Sequence, residues 1–243
     1  MSRTVKIVVG VVLVLVVAAG AGIWWYLRDD SPAAVDLDTA SESVTATTGG
    51  AGTSTPGGGI DGTWVVDTES GEFDFQSATG TFVGFRVEEE LTAIGSTTAV
   101  GRTGDVSGSM TIADGTLTEA DVEVQMATIT TDRSQRDSRV RSALDTDSIP
   151  TAGFVLTEPV DLGSDPAASD VSVTATGELT LHGVTRTVEV PLEARLVDGT
   201  VVVVGSFEVQ FSDYDVEAPS APVVLSVSDA GTIEMQLLLT RQG

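Results

Sequence analysis

From Ile60 to the end of the chain, apolar and polar residues alternate in one segment after another, the pattern of strands that bury one face. "TFVGFRV" puts Val83, Phe85 and Val87 on one side, and "ADVEVQM" sets Val122, Val124 and Met126 against Asp121, Glu123 and Gln125. The same alternation runs through Val171, Val173 and Ala175, through Val188, Val190 and Leu192, through Phe207, Val209 and Phe211, and through Ile233, Met235, Leu237 and Leu239. Turn signals fall between the segments: "ADG" at Ala113, "VDG" at Val197 and "DAG" at Asp229. The pattern predicts an all-β domain of antiparallel strands joined by short hairpins, closed as a sandwich or a barrel. One stretch departs from it. "DRSQRDSRVRSAL", Asp132 to Leu144, carries four arginines without period-two alternation and predicts a short helix, with Thr131 or Asp132 as N-cap and Pro150 marking the return to strand.

Upstream the texture is different. Residues 1–28 hold an apolar run, uninterrupted from Ile7 to Leu27, long enough to cross a bilayer as a helix. Arg3 and Lys6 precede it, and Trp24, Trp25 and Tyr26 stand where an interfacial aromatic belt belongs. The expectation is a single membrane anchor with a cytoplasmic N-terminus and an extracytoplasmic domain. The competing reading is a cleaved signal peptide with "AAGAG" as the cleavage site, and it exports the domain equally. Residues 29–60 are rich in Ser, Thr, Ala and Gly, poor in large apolar side chains, and read as a disordered, flexible linker. Residues 61–243 form the folded domain.

Composition narrows the functional classes. Against 36 acidic residues stand 12 basic ones, a net charge of −24, which repels phosphate backbones and removes nucleic acid as a partner. The absence of cysteine excludes disulfides, thiolate catalysis, cysteine-ligated metals and a lipoprotein-type anchor. The single histidine, His182, lies beside Gly183 between two alternating segments, without a Gly-x-Ser-x-Gly elbow anywhere, so it reads as a hairpin residue pointing to solvent rather than a catalyst. The carboxylate runs Glu88–Glu90 and Asp213–Glu217 match no EF-hand loop and read as solvated acidic surface. No catalytic residue, metal site or cofactor is assigned. The arginine cluster allows two readings: salt bridges to Asp132, Asp137 and Asp145, or a basic rim for an anionic headgroup or membrane surface. Periodicity alone leaves open whether the strand faces close on a solid core or a lined cavity.

Four stretches, in order and at fitting distances, resemble the YceI-like family: "GTWVVDTESGEFDF" with "VGFRVEE", "AVGRTGDVSGSMTI", "RDSRVRSALDTDSIPTAGFVL" and "GELTLHGVTRTVEV". The second is similar to the form found in actinobacterial-type members. The resemblance covers Gly62 to Arg241, with Leu179, Thr180, Gly183, Val184 and Thr185 carrying its most recognisable element. It implies an extended antiparallel lipocalin-like β-barrel with one short helical segment, exported and non-enzymatic, that holds a polyisoprenoid or similar amphiphilic lipid. Many relatives have a histidine two residues after the Arg-Asp pair, where this chain has Arg139.

The resulting expectation is a membrane-tethered binding protein that sequesters or carries a polyprenyl-type lipid. Its chain would lie against Val83, Phe85, Val124, Met126, Phe154, Val190, Phe207, Val209 and Leu237, with Arg136 and Arg139 at the headgroup. The partners are a long-chain lipid and the membrane, with a homodimer left open. The alternative is a cell-surface interaction module with a packed barrel and no ligand; a hydrolase using undetected carboxylates is a third.

Overall fold

The computed structural model describes residues 31–47, 59–91, 95–217 and 224–242. The residues read as a membrane anchor or signal peptide lie outside the described residues. Among those described, no helix is long and apolar enough to cross a membrane.

The alternating segments form one antiparallel sheet that closes on itself. Its ring runs β1 (Gly62–Val66), β4 (Val106–Ala113), β5 (Thr116–Gln125), β7 (Thr151–Leu156), β9 (Val171–Leu181), β10 (Val184–Val197), β11 (Thr200–Gln210) and β13 (Ala230–Arg241), and β13 pairs back with β1. Eight strands give an interior able to hold side chains or one ligand. β13 is the hub: β11 occupies one edge along its whole length, while the other edge is shared. β1 pairs with Leu239–Arg241, and β2 (Phe82–Leu91) pairs with Thr232–Gln236. β3 (Gly95–Thr103) follows β2, and the short β6 (Thr130–Thr131) follows β3. Together they extend the wall at the end where β13 begins. Two further short strands, β8 (Val160–Asp161) and β12 (Val224–Val227), pair with β5 and β2.

Hairpin geometry follows from residue chemistry. Asp114–Gly115, His182–Gly183 and Asp198–Gly199 are two-residue loops with positive φ at both positions, the turn whose twist matches the flanking strands. Asp and His tolerate the left-handed first position, and Gly takes the second.

Among the described residues there are two α-helices where the sequence suggested one. α1 (Leu37–Thr47) lies within the segment read as a disordered linker, and that reading is corrected for residues 31–47. Asp36 caps it, its carboxylate accepting from the Thr39 N–H and hydroxyl, each at 2.9 Å. Leu37, Ala40 and Val44, at i, i+3 and i+7, are buried against the outer faces of Val202, Val204 and Leu238, and Ser41, on the same face, is buried with them. Ser41 and Thr45 return their hydroxyls to carbonyls four residues back, so this hydroxyl-rich helix buries a face without stranding a donor. The second helix, α2 (Ser134–Ala143), is the arginine-rich stretch. Arg133, not Thr131 or Asp132, is its N-cap. Thr131 instead donates its backbone N–H to the Asp137 carboxylate at 2.7 Å, tying β6 to the first turn.

Candidate functional site

The barrel is hollow. Its inner face encloses a cavity of about 510 Å³, within the range of small-molecule sites. The packed-barrel alternative is thereby corrected: inward side chains line the space without filling it. All nine residues proposed from alternation, Val83, Phe85, Val124, Met126, Phe154, Val190, Phe207, Val209 and Leu237, border this cavity. Aliphatic residues make up the deeper part, including Ile112, Leu117, Val201 and Leu239 where β13 ends. Glycines keep aromatic rings flat against the wall, as at Gly101 and Gly177. Phe85 lies over Gly101, its cross-strand partner, and Phe154 lies over Gly177; a Cβ at either glycine would collide with the ring.

Polar lining concentrates at the opposite end, beneath α2. Arg133, Gln135, Arg136 and Arg139 border the cavity there, while Arg195 borders it near the far end. The exposed lining residues, Arg133, Gln135 and Arg139, all belong to α2 and its cap, so the cavity reaches the surface at this helix. Arg136 is not available as drawn from sequence: it is ion-paired with both Asp132 and Glu89. Arg139 has no carboxylate partner among the described residues, and neither Asp137 nor Asp145 reaches it.

Glu89 is the site residue that sequence reading missed. By composition it reads, with Glu88 and Glu90, as solvated surface, yet only 7% of it is exposed. The signal was present: Val83, Phe85, Val87 and Glu89 continue a single period-two face, so the strand that carries the aliphatic lining inward must carry Glu89 inward as well. Burial pushes the Glu89 carboxyl above the ordinary value of 4.5, outweighing the pull of Arg136 in the other direction.

His182 is placed as expected at a hairpin tip, but it does not simply point to solvent. Its Nδ1 lies 3.1 Å from the Tyr214 carbonyl oxygen, tying the β9–β10 hairpin to a short 3-10 turn at Phe211–Tyr214. Among the described residues no group of His, Asp or Glu is arranged to hold a metal ion.

A second polar cluster lies outside the barrel wall. Glu234 on β13, 1% exposed, accepts from Arg86 Nε at 2.7 Å and Arg102 Nε at 2.9 Å. The remaining guanidinium donors reach the carbonyls of Pro32 and Ala33, each at 2.6 Å. Arg102 also stacks over Phe82 at 4.4 Å. The cluster is structural: it fastens the segment before α1 to the barrel.

These features define a closed antiparallel β-barrel of lipocalin-like build, with an aliphatic cavity opening beside an arginine-bearing helix. The chain belongs to the YceI-like domain family, which it matches over residues 64–239. Its fold is similar to that of a polyisoprenoid binding domain from Saccharophagus degradans implicated in plant cell wall breakdown, with 21% identity and a TM-score of 0.57 over 74% of this chain and 98% of that one. It is also similar to Burkholderia cenocepacia BcnA, at 17% identity and a TM-score of 0.54 over 71% and 98% of the two chains. No curated protein matches the sequence.

Proposed function

We propose that this protein is a non-enzymatic carrier or sequestering protein that holds a polyprenyl-type or other long-chain amphiphilic lipid inside its barrel. The observation that carries the reading is the shape and chemistry of the cavity: deep, aliphatic, and open where polar groups gather. Such a space suits a ligand with a long apolar tail and a small polar head. Each buried methylene-sized group of the tail contributes about 0.8 kcal/mol, offset in part by the cost of ordering a flexible chain. The family membership and the polyisoprenoid-binding domain with the same fold support the choice of tail.

The headgroup belongs at α2. Arg139, exposed at the opening and without a carboxylate partner among the described residues, is available to an anionic headgroup, while Arg136 reaches it only by giving up Glu89 or Asp132. Ile7–Leu27 anchors the protein in the membrane and holds the barrel on the extracytoplasmic side; the charge bias and the aromatic belt of the sequence support this placement.

The test is mass spectrometry of organic extracts from the full chain, purified from its own membrane without refolding. A stoichiometric long-chain lipid is the expected result. A folded protein that repeatedly extracts empty would overturn the carrier reading.

A further inference from the structure

We infer that the segment Ser31–Thr47 is a strap that turns the mouth of the cavity toward the membrane in which the chain is anchored. The inference rests on the anchor reading above and adds an orientation to it. A linker of thirty-odd residues would leave the barrel free to tumble at a distance, but the described structure shows the first part of that linker docked.

The course of the strap gives the direction. Ser31 donates its hydroxyl to the Thr98 carbonyl at 2.7 Å, Pro32 accepts from Arg86, and Ala33 accepts from Arg102. On the β2–β3 ladder Thr98 pairs with Glu88, Val100 with Arg86, and Arg102 with Gly84. The strap therefore steps down the ladder from the Glu88 level, leaving the mouth as it goes. It finishes as α1 on Val202, Val204 and Leu238, with Asp38 paired to Arg195 at 2.9 Å near the far end of the barrel. Its first residue lies at the mouth end: Thr98 also donates to Glu88 at 2.8 Å, and the neighbouring Glu89 is the carboxylate paired with Arg136 beneath α2.

Chain length completes the argument. Three peptide steps separate Arg28, at the end of the apolar run, from Ser31, so their α-carbons are at most roughly 11 Å apart. The docked end of the strap thus holds the mouth within about a headgroup layer of the bilayer, while the opposite end of the barrel stands off by the length of β13 foreshortened by its tilt, roughly 25–30 Å. Of the arginines on α2 and its cap, Arg133 and Arg136 are ion-paired with Asp132 and Glu89, and Arg139 faces the lipid phosphates. A lipid would pass between bilayer and cavity without its tail crossing bulk water.

The absence of native cysteine allows a direct test. Full-length Ser138→Cys, on α2, and Ser164→Cys, in the loop after β8, carry one fluorophore each and are reconstituted into vesicles of phosphatidylcholine and phosphatidylglycerol that contain a headgroup-spin-labelled lipid. Quenching at position 138 is expected to exceed that at position 164 several-fold. The difference should collapse when a Gly/Ser segment of roughly 20 residues, reaching on the order of 25 Å, is inserted between Asp30 and Ser31. Equal quenching at the two positions, or the reverse order, in protein that floats with the vesicles overturns the orientation and leaves the anchor standing. Protein that fails to float with the vesicles overturns the anchor reading, and the orientation with it.

Discussion

Glu89 shows how one buried carboxylate conditions the site. The folded state holds its proton more tightly than the unfolded chain does, because desolvation by the surrounding wall and the nearby Asp132 charge outweigh Arg136 and Arg133. A raised carboxylate pKa means that stability falls as pH rises from the ordinary glutamate value through the elevated one. Glu89→Gln removes that titration. Urea unfolding across this interval should therefore show the wild type losing stability relative to Glu89→Gln as pH rises; parallel pH profiles would refute the assignment. Arg139 acts at the same scale. Reversing its charge with Arg139→Glu should weaken binding of phosphorylated polyprenyl lipids by roughly tenfold, about 1.4 kcal/mol, and leave neutral polyprenols nearly unaffected. Competition between labelled lipids measures both, and an equal loss for the two would remove the headgroup role.

At the scale of elements, the strap exists because tertiary packing pays for it. An isolated helix as short as α1 is marginal in water, and its cap and hydroxyl back-bonds only remove penalties. What holds it is the apolar patch of Val202, Val204 and Leu238 on the outside of the barrel. Val44→Asp, at a position 5% exposed, should release the helix, seen as loss of amide protection confined to Leu37–Thr47 while the strands stay protected. The Arg86–Glu234–Arg102 cluster fastens the preceding residues more firmly. Removing its carboxylate leaves two guanidinium groups uncompensated, one of them 4% exposed, so Glu234→Gln should cost about 3–5 kcal/mol in denaturant unfolding. A loss below 1 kcal/mol would mean that water reaches the cluster.

For the whole molecule, the question is what keeps the barrel hollow. Its closure uses β13 as a shared spine, and the change of partner from β1 to β2 along one edge lets the wall continue past the eight-strand ring toward α2. Inward aliphatic side chains then line a space that none of the described segments fills. Phe207→Asp or Val124→Asp should lower lipid occupancy in the mass-spectrometric assay, because a carboxylate in this lining must be desolvated beside the tail. Unchanged occupancy in a folded variant would exclude that part of the wall from the binding surface.

Much of this architecture is legible in the sequence. Alternation located the inward positions, and Gly-containing dipeptides located the hairpins, because both signals are local: a strand's faces alternate whatever it pairs with, and a left-handed turn needs its residues in place. The same logic, carried one step past Val87, points to Glu89. The misreading came from judging an acidic triplet by its composition. The strap was missed for a related reason. Asp36 as cap and Leu37, Ala40 and Val44 at helical spacing were visible, but their worth depends on an apolar patch more than 150 residues away in sequence. Val201–Val204 and Leu237–Leu239, apolar on both faces, were the sign that this stretch of wall needed cover inside and out.

The sequence by itself determined an all-β domain, its inward faces, its turns, its charge and its family, since each rests on the order of neighbouring residues. Only the tertiary structure decided that the interior is a cavity, that Glu89 occupies Arg136, and that the supposed linker is bound to the barrel. These depend on which distant surfaces meet and how much space remains between them, and no local pattern encodes that.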